Sequence, residues 1–340
     1  MPNENLTRAK EAQKDEFYTQ FEDIEKEINA YLEYDPDVFR DKTILLPCDD
    51  PEWSNFTKYF ALNFKHFGLK KLISTCYAIE GQNDNHGKIL VLEKNDLPDR
   101  IDFNNLNREY LKGDGDFRSE EVSALRDEAD IIITNPPFSL FREFLAWIVR
   151  ANKRFLIIGN MNAVTYREVF PLIKENKVWY GCTISSGDRE FGVPDDYPLE
   201  AAGWRIDEQG RKYIRVKGVR WFTNLDHGRR HLPLPLMTKA DNLKYSRHND
   251  LIEKNAYEHY DNYNAIEVPY TEAIPSDYDG VMGVPISFLD KYCPEQFELM
   301  GITDKGNDLS WLTIPGHEKY DRPYIYGKRL YARLLIRKKQ

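Results

Sequence analysis

Between residues 42 and 160 short apolar runs alternate with amphipathic stretches of helical period, and the connections between them are brief. "DKTILLPCDD" reads as a buried strand entering a turn. "NFTKYFALNFKHFGL" reads as a helix closed by Gly68, and "KKLISTCYAI" as a second strand. "HGKILVLEKN" is a third strand candidate, "SEEVSALRDEA" a helix and "DIIITNPPF" a strand running into a loop. "LFREFLAWIVRAN" is the next helix and "KRFLIIGNMNA" a further strand. Strands and helices in that order predict an α/β fold with a doubly wound parallel sheet. Ligands bind such sheets outside the carboxyl ends of the strands, so chemistry is expected at the endings "PCDD", "STCY", "TNPPF" and "GNMNA".

The flanks are read from pattern and charge. Residues 7–34 predict a polar helix broken near "EYDPDVF", with Ile24, Ile28, Tyr31 and Leu32 on one face. After about residue 225 the texture changes. "HGRRHLPLPLMTKADNLKYSRHND" reads as a loop or linker, and "AIEVPY", "GVMGVPISFLDKY", "FELMGI" and "RLYARLLIRKK" as short strands of a smaller module. The expected division is therefore 1–225 and 226–340.

The net charge is −9, but its distribution is uneven. From residue 205 to 247, Asp207, Glu208, Asp226 and Asp241 stand against a long series of Arg and Lys residues, and no acid follows Asp321. A basic second half with interleaved aromatics, as in "RKYIRVKGVRWFTNLDHGRRH", suits phosphate contacts. Four dispersed cysteines form no C-x-x-C pair, and the seven histidines lack metal-ligand spacing, so no metal is expected. No apolar run approaches the roughly 20 residues of a membrane-spanning helix, so a cytoplasmic protein with no membrane association is expected.

The sharpest motif is Asn135, Pro136, Pro137 and Phe138, directly after the strand "DIIIT". Two prolines remove two backbone N–H groups and leave carbonyls to face a ligand. A loop that offers acceptors and withholds donors suits an exocyclic amino group. If the Asn135 side-chain oxygen and the Pro136 carbonyl each accept one hydrogen of an adenine N6, its lone pair becomes available to a methyl electrophile, with Phe138 stacked on the base.

This segment resembles the (D/N/S)-P-P-(Y/F/W) motif of the S-adenosylmethionine-dependent amino-methyltransferases. "KDEFYTQFEDIE" at 14–25, "CDDPEWSNFTKYFALNFKHFGLKKLISTCY" at 48–77, "GDGDF" at 113–117 and "VRWFTNLDHGRR" at 219–230 are similar to segments of one group among them. That group is the EcoRI-type adenine-N6 DNA methyltransferases, and the likeness covers nearly the whole chain.

The resemblance implies a Rossmann-like methyltransferase fold with a smaller C-terminal target-recognition module. It implies S-adenosylmethionine as cofactor and double-stranded DNA as substrate, with the target adenine flipped out of the helix. Tyr18 and Thr19 would close over the methionine part of the cofactor. Pro47, Asp49 and Asp50 stand where relatives outside this group carry a glycine-containing loop, and the two acids would face the cofactor amino group or ribose. Asp116, followed by Phe117, would hold the cofactor adenine, and Glu80 is an alternative ribose ligand. Arg220, Trp221, Arg229 and Arg230 are the expected DNA contacts. A cognate restriction endonuclease is also implied, and a monomer is expected because methylation of one strand at a time needs no dimer symmetry. Methylation of an RNA base or a protein glutamine, or an inactive DNA-binding homologue, are the rival readings.

Overall fold

The computed structural model describes residues 18–78, 85–95, 101–183, 188–195, 197–199, 203–305, 307–317 and 322–339 of the 340-residue chain. Glu80, residues 7–17 of the expected first helix and the start of "NDNHG" lie outside the described residues. The chain divides into two units, one of residues 1–160 and 180–227, the other of 161–179 and 228–340. The excursion 161–179 interrupts the first unit and was not foreseen.

In the first unit, helix α1 (Phe21–Tyr34) precedes β1 (Thr43–Leu46), α2 (Asn55–Leu62), α3 (Phe64–Phe67) and β2 (Lys71–Cys76). Then come β3 (Lys88–Glu93), β4 (Glu109–Tyr110), α4 (Glu120–Glu128), β5 (Ile131–Thr134), α5 (Phe141–Arg150) and β6 (Arg154–Asn160). The predicted helix over 55–67 is two pieces hinged at Asn63, and it ends at Gly68, whose φ of 64° is left-handed, as expected for a glycine closure.

After the excursion the chain adds β7 (Trp179–Tyr180), β8 (Asp188–Val193), β9 (Trp204–Ile206), β10 (Lys212–Lys217) and β11 (Val219–Thr223). The large sheet runs β4-β3-β2-β1-β5-β6-β11-β7. Its centre, β2-β1-β5-β6, is parallel. β3 and β4 pair antiparallel, however, and so does β11 against β6. The sheet is thus mixed and not the wholly parallel one expected. Only residues 77–87 join β2 to β3, short of the dozen or more, usually helical, that a parallel crossover needs.

Both sheet faces are covered. Ile44, Leu46, Leu72, Ile131, Ile133, Leu156 and Ile158 belong to one buried cluster with Ile24 and Ile28 of α1, Phe56 and Phe60 of α2 and Phe64 of α3. On the other face Phe141 of α5 lies 5.0 Å, ring to ring, from Phe222 of β11. Strands covered on both sides read as unbroken apolar runs, which is why "TILL" and "IIIT" show no alternation. A separate antiparallel sheet orders β8-β10-β9.

The second unit holds α6 (Phe170–Lys174), α7 (Lys239–Tyr245) and α8 (Asn249–Lys254). Its strands are β12 (Ile266–Glu267), β13 (Met282–Val284), β14 (Phe297–Ile302), β15 (Tyr324–Ile325), β16 (Lys328–Arg329) and β17 (Leu334–Lys338). Four of them form a sheet in the order β12-β13-β17-β14, and β15 pairs with β16 as a hairpin. The stretch read as a linker contains α7, whose first turn is capped by the Thr238 hydroxyl, and α8. Both are too short for a periodic signal.

Candidate active site

β1, β2 and β5 end side by side, and the segments that leave them line a cavity of about 490 Å³. That volume is of the size that holds a small molecule or cofactor. Of the residues singled out from sequence, Tyr18, Thr19, Pro47, Asp49, Asp50, Asp116, Phe117, Asn135 and Pro137 line it.

The loop after β1 is held from within. The Asp49 N–H donates to the Thr75 carbonyl at 2.9 Å, which ties the loop to the end of β2. The buried Asp49 carboxylate accepts the Ser54 hydroxyl at 2.7 Å and the Thr134 hydroxyl at 2.5 Å. Ser54 in turn caps α2, accepting the Phe56 N–H at 3.1 Å. One carboxylate thus joins the first-strand loop, the start of α2 and the residue before Asn135. Burial pushes the Asp49 carboxyl up to about 7; the two hydroxyls oppose the shift and neighbouring Asp50 adds to it. Asp50 accepts the Glu52 N–H at 2.7 Å and pairs with Lys88 at 3.3 Å.

The acidic turn "GDGD" is pressed against the end of β2. Gly115 has φ of 83°, and a Cβ there would come within 2.3 Å of the Cys76 carbonyl oxygen. No other residue type fits that approach. The next residue, Asp116, is clamped by Arg118, whose guanidinium donates to both carboxylate oxygens at 2.9 and 2.6 Å. Those bonds hold the Asp116 carboxyl below its usual range. Phe117 is buried edge-on against Phe144, 5.0 Å away.

The rim is aromatic. Tyr18 exchanges backbone hydrogen bonds with Gly192 at 2.8 and 3.0 Å, and its ring lies 4.1 Å from that of Trp53. Thr19 is fixed through its carbonyl, which accepts from the Asn55 side chain at 2.8 Å. Its hydroxyl is buried and has no hydrogen-bond partner among the described residues. Carboxylates and ring faces suit a cationic, ribose-bearing, aromatic ligand.

Asn135 leaves β5 half-buried, with Pro136 buried behind it. Phe138 opens a 3₁₀ turn that leads into α5, and its ring packs partly on the large core cluster.

The expected basic face does not form as read. Arg220 and Trp221 lie in β11, and every residue of that strand is buried, with helices packed on both faces: Phe56 of α2 against Trp221 and Phe141 of α5 against Phe222. Trp221, 1% exposed, meets Phe56 edge-on at 5.9 Å, so it is a core residue with no face to stack on a base. Arg220 donates to the Val219 carbonyl at 2.8 Å. Arg230 is also buried, its guanidinium 3.5 Å from the centre of the Trp179 ring and bonded to Asn176. Arg229 alone of the four is exposed.

Sequence reasoning missed Ser54, Trp53, Arg118 and Thr134. Ser54 carried a readable signal, a serine before the amphipathic "NFTKYF". Thr134 carried none.

The family described as adenine-specific methyltransferase EcoRI matches residues 5–339. The chain is similar to the type II methyltransferase M.EcoRI of Escherichia coli, at 45% identity over 96% of this chain and 98% of that protein. It is similar also to the type II methyltransferases M.MgeORF184P of Mycoplasma genitalium, at 35% over 99% of both chains, and M.MpnI of Mycoplasma pneumoniae, at 34% over 98% of both. No solved structure matches it.

Proposed function

Because the chain belongs to the EcoRI family of adenine-specific methyltransferases, we propose that it methylates adenine N6 within one short sequence of duplex DNA, as the modification enzyme of a type II restriction–modification system. The observation that carries the reading is the placement of Asn135 and Pro137 on the wall of the same cavity as Asp49, Asp50 and Asp116. S-adenosylmethionine fits that cavity and would supply a methyl group on a sulfonium centre.

This chain's residues then have separate tasks. Asp116, kept ionised by Arg118, and the neighbouring Phe117 hold the cofactor adenosine. Asp49 and Asp50 each keep lone pairs beyond their internal bonds and face the ribose or the amino group. Tyr18 and Thr19 close the methionine end, and Pro47 shapes the wall. Asn135 and the Pro136 carbonyl accept the two N6 hydrogens, so the nitrogen lone pair turns from the ring toward the methyl donor, and Phe138 stacks on the extruded base. Donors in this loop would compete for that lone pair, and Pro136 and Pro137 remove two of them.

The region from about residue 226, most of it in the second unit, reads the target sequence, and Arg229 meets phosphate. No described helix is long and apolar enough to cross a membrane, and the reaction belongs in the cytoplasm, with the protein acting as a monomer beside a cognate endonuclease.

The test is single-molecule sequencing of DNA incubated with the protein and S-adenosylmethionine. N6-methyladenine confined to one short motif is the expected result. No modification, from protein that binds the cofactor by calorimetry, would redirect the reading to RNA or a protein glutamine.

A further inference from the structure

The second unit carries an aromatic residue in a conformation that its side chain disfavours. Among the described residues six non-glycine positions have positive φ: Asp41, Asn85, Asn152, Asn176, Asn255 and Tyr326. Five are Asn or Asp, the residue types that tolerate the left-handed region. Tyr326 has no such licence. Its φ is 51° and that of Gly327 is 71°, and the two form the whole loop between Ile325 and Lys328, which are paired in the hairpin register. A two-residue loop with both φ positive is the turn in which Asn-Gly is favoured.

The hairpin is braced so that this turn holds. Asp261 accepts the Gly327 N–H at 2.7 Å and the Tyr326 N–H at 3.2 Å. Fully buried Asn262 accepts the Tyr324 N–H at 3.0 Å and donates to the Arg322 carbonyl at 2.9 Å. Ile325 is rooted in a buried cluster with Tyr260, Tyr263 and Leu335. The tip, by contrast, is thrown outward: Tyr326 is 85% exposed, matched among the described large apolar side chains only by Tyr331 at 84%. Lys328 and Arg329 follow it on the exposed strand β16. A rigid stem, a ring held clear of the protein at a conformational cost and two adjoining cations form an arrangement that a mere surface turn does not require.

We propose that the β15–β16 hairpin is a wedge: Tyr326 enters the base stack of duplex DNA while Lys328 and Arg329 meet the adjoining phosphates. The proposal rests on the DNA-methyltransferase reading and adds to it a residue that opens the duplex. Side-chain wedges of this kind unstack a base step in exchange for wider contact, and a ring stacked on a base is sequence-tolerant.

Tyr326→Asn is the decisive variant, because it removes the ring while installing the residue that the turn prefers. Once the methylated motif has been mapped, 2-aminopurine is placed at successive positions of a duplex carrying it. The unsubstituted protein should raise emission at a step other than the target adenine. Tyr326→Asn should lose that signal and bind the duplex roughly tenfold more weakly, with an unlowered melting temperature and unchanged cofactor binding, and Tyr326→Phe should keep it. Unchanged affinity and emission in Tyr326→Asn, or no signal beyond the target adenine in the unsubstituted protein, overturns the wedge. Absence of DNA methylation before any substitution overturns the parent reading, and the wedge with it.

Discussion

Two loops leave neighbouring parallel strands and treat their polar groups in opposite ways. After β1, the carboxylate of Asp49 is engaged by Ser54 and Thr134, and that of Asp50 by Lys88 and the Glu52 N–H. After β5, Asn135-Pro136-Pro137 supplies an amide and removes two N–H groups. The first loop is satisfied from within and fixes the cavity's shape. In the proposed reaction the second presents acceptors. The Asp49–Thr134 bond connects the two, so the donor-poor loop is positioned by the self-satisfied one. Charge near a ligand cavity is not evidence of ligand contact until the internal partners of that charge are known.

Asn135→Ala should have the largest effect. Turnover should fall roughly 10²-fold or more, while calorimetry records undiminished cofactor binding; near-normal turnover would refute the acceptor role.

The next effect is on stability. Asp49 has a carboxyl held up at about 7 in the fold against an ordinary 3.8. Between those values the folded protein keeps a proton that the unfolded chain has released, so stability is lost as pH rises through the window. Asp49→Asn has no such proton. Its stability relative to the unsubstituted protein should therefore improve from pH 4 to pH 8, by at most roughly 4 kcal/mol, as read from urea midpoints. Parallel pH profiles for the two proteins would mean that Asp49 is ionised in the fold.

Ser54→Ala is the smallest change. It removes both the α2 cap and one Asp49 partner and should cost about 1 kcal/mol in the same denaturation experiment. A neutral result would show that the loop is held by its backbone alone.

Much of this was legible in the residues. Gly68 closing a helix, "IIIT" as a buried strand and Asn135 to Phe138 at its carboxyl end all follow from local chemistry. The Asp49–Thr134 bond was not legible, since it joins positions 85 residues apart. "VRWFT" misled for a related reason: its arginine and aromatics read as a basic surface, yet a central strand buries both faces and Arg220 lies within it. Antiparallel β3 was hidden because pairing direction depends on the connection, not on the strand's composition.

The order of the large sheet has a consequence for synthesis. β11 lies next to β6, yet the chain from 161 to 218 must be made between them. At about 5–20 residues per second the ribosome leaves the outer edge of β6 without β11 for roughly 3–12 s. An apolar strand edge exposed for that long is a template for wrong pairing. Until Val219 to Thr223 emerge, the outer edge of β6 lacks the strand that seals it in the finished sheet.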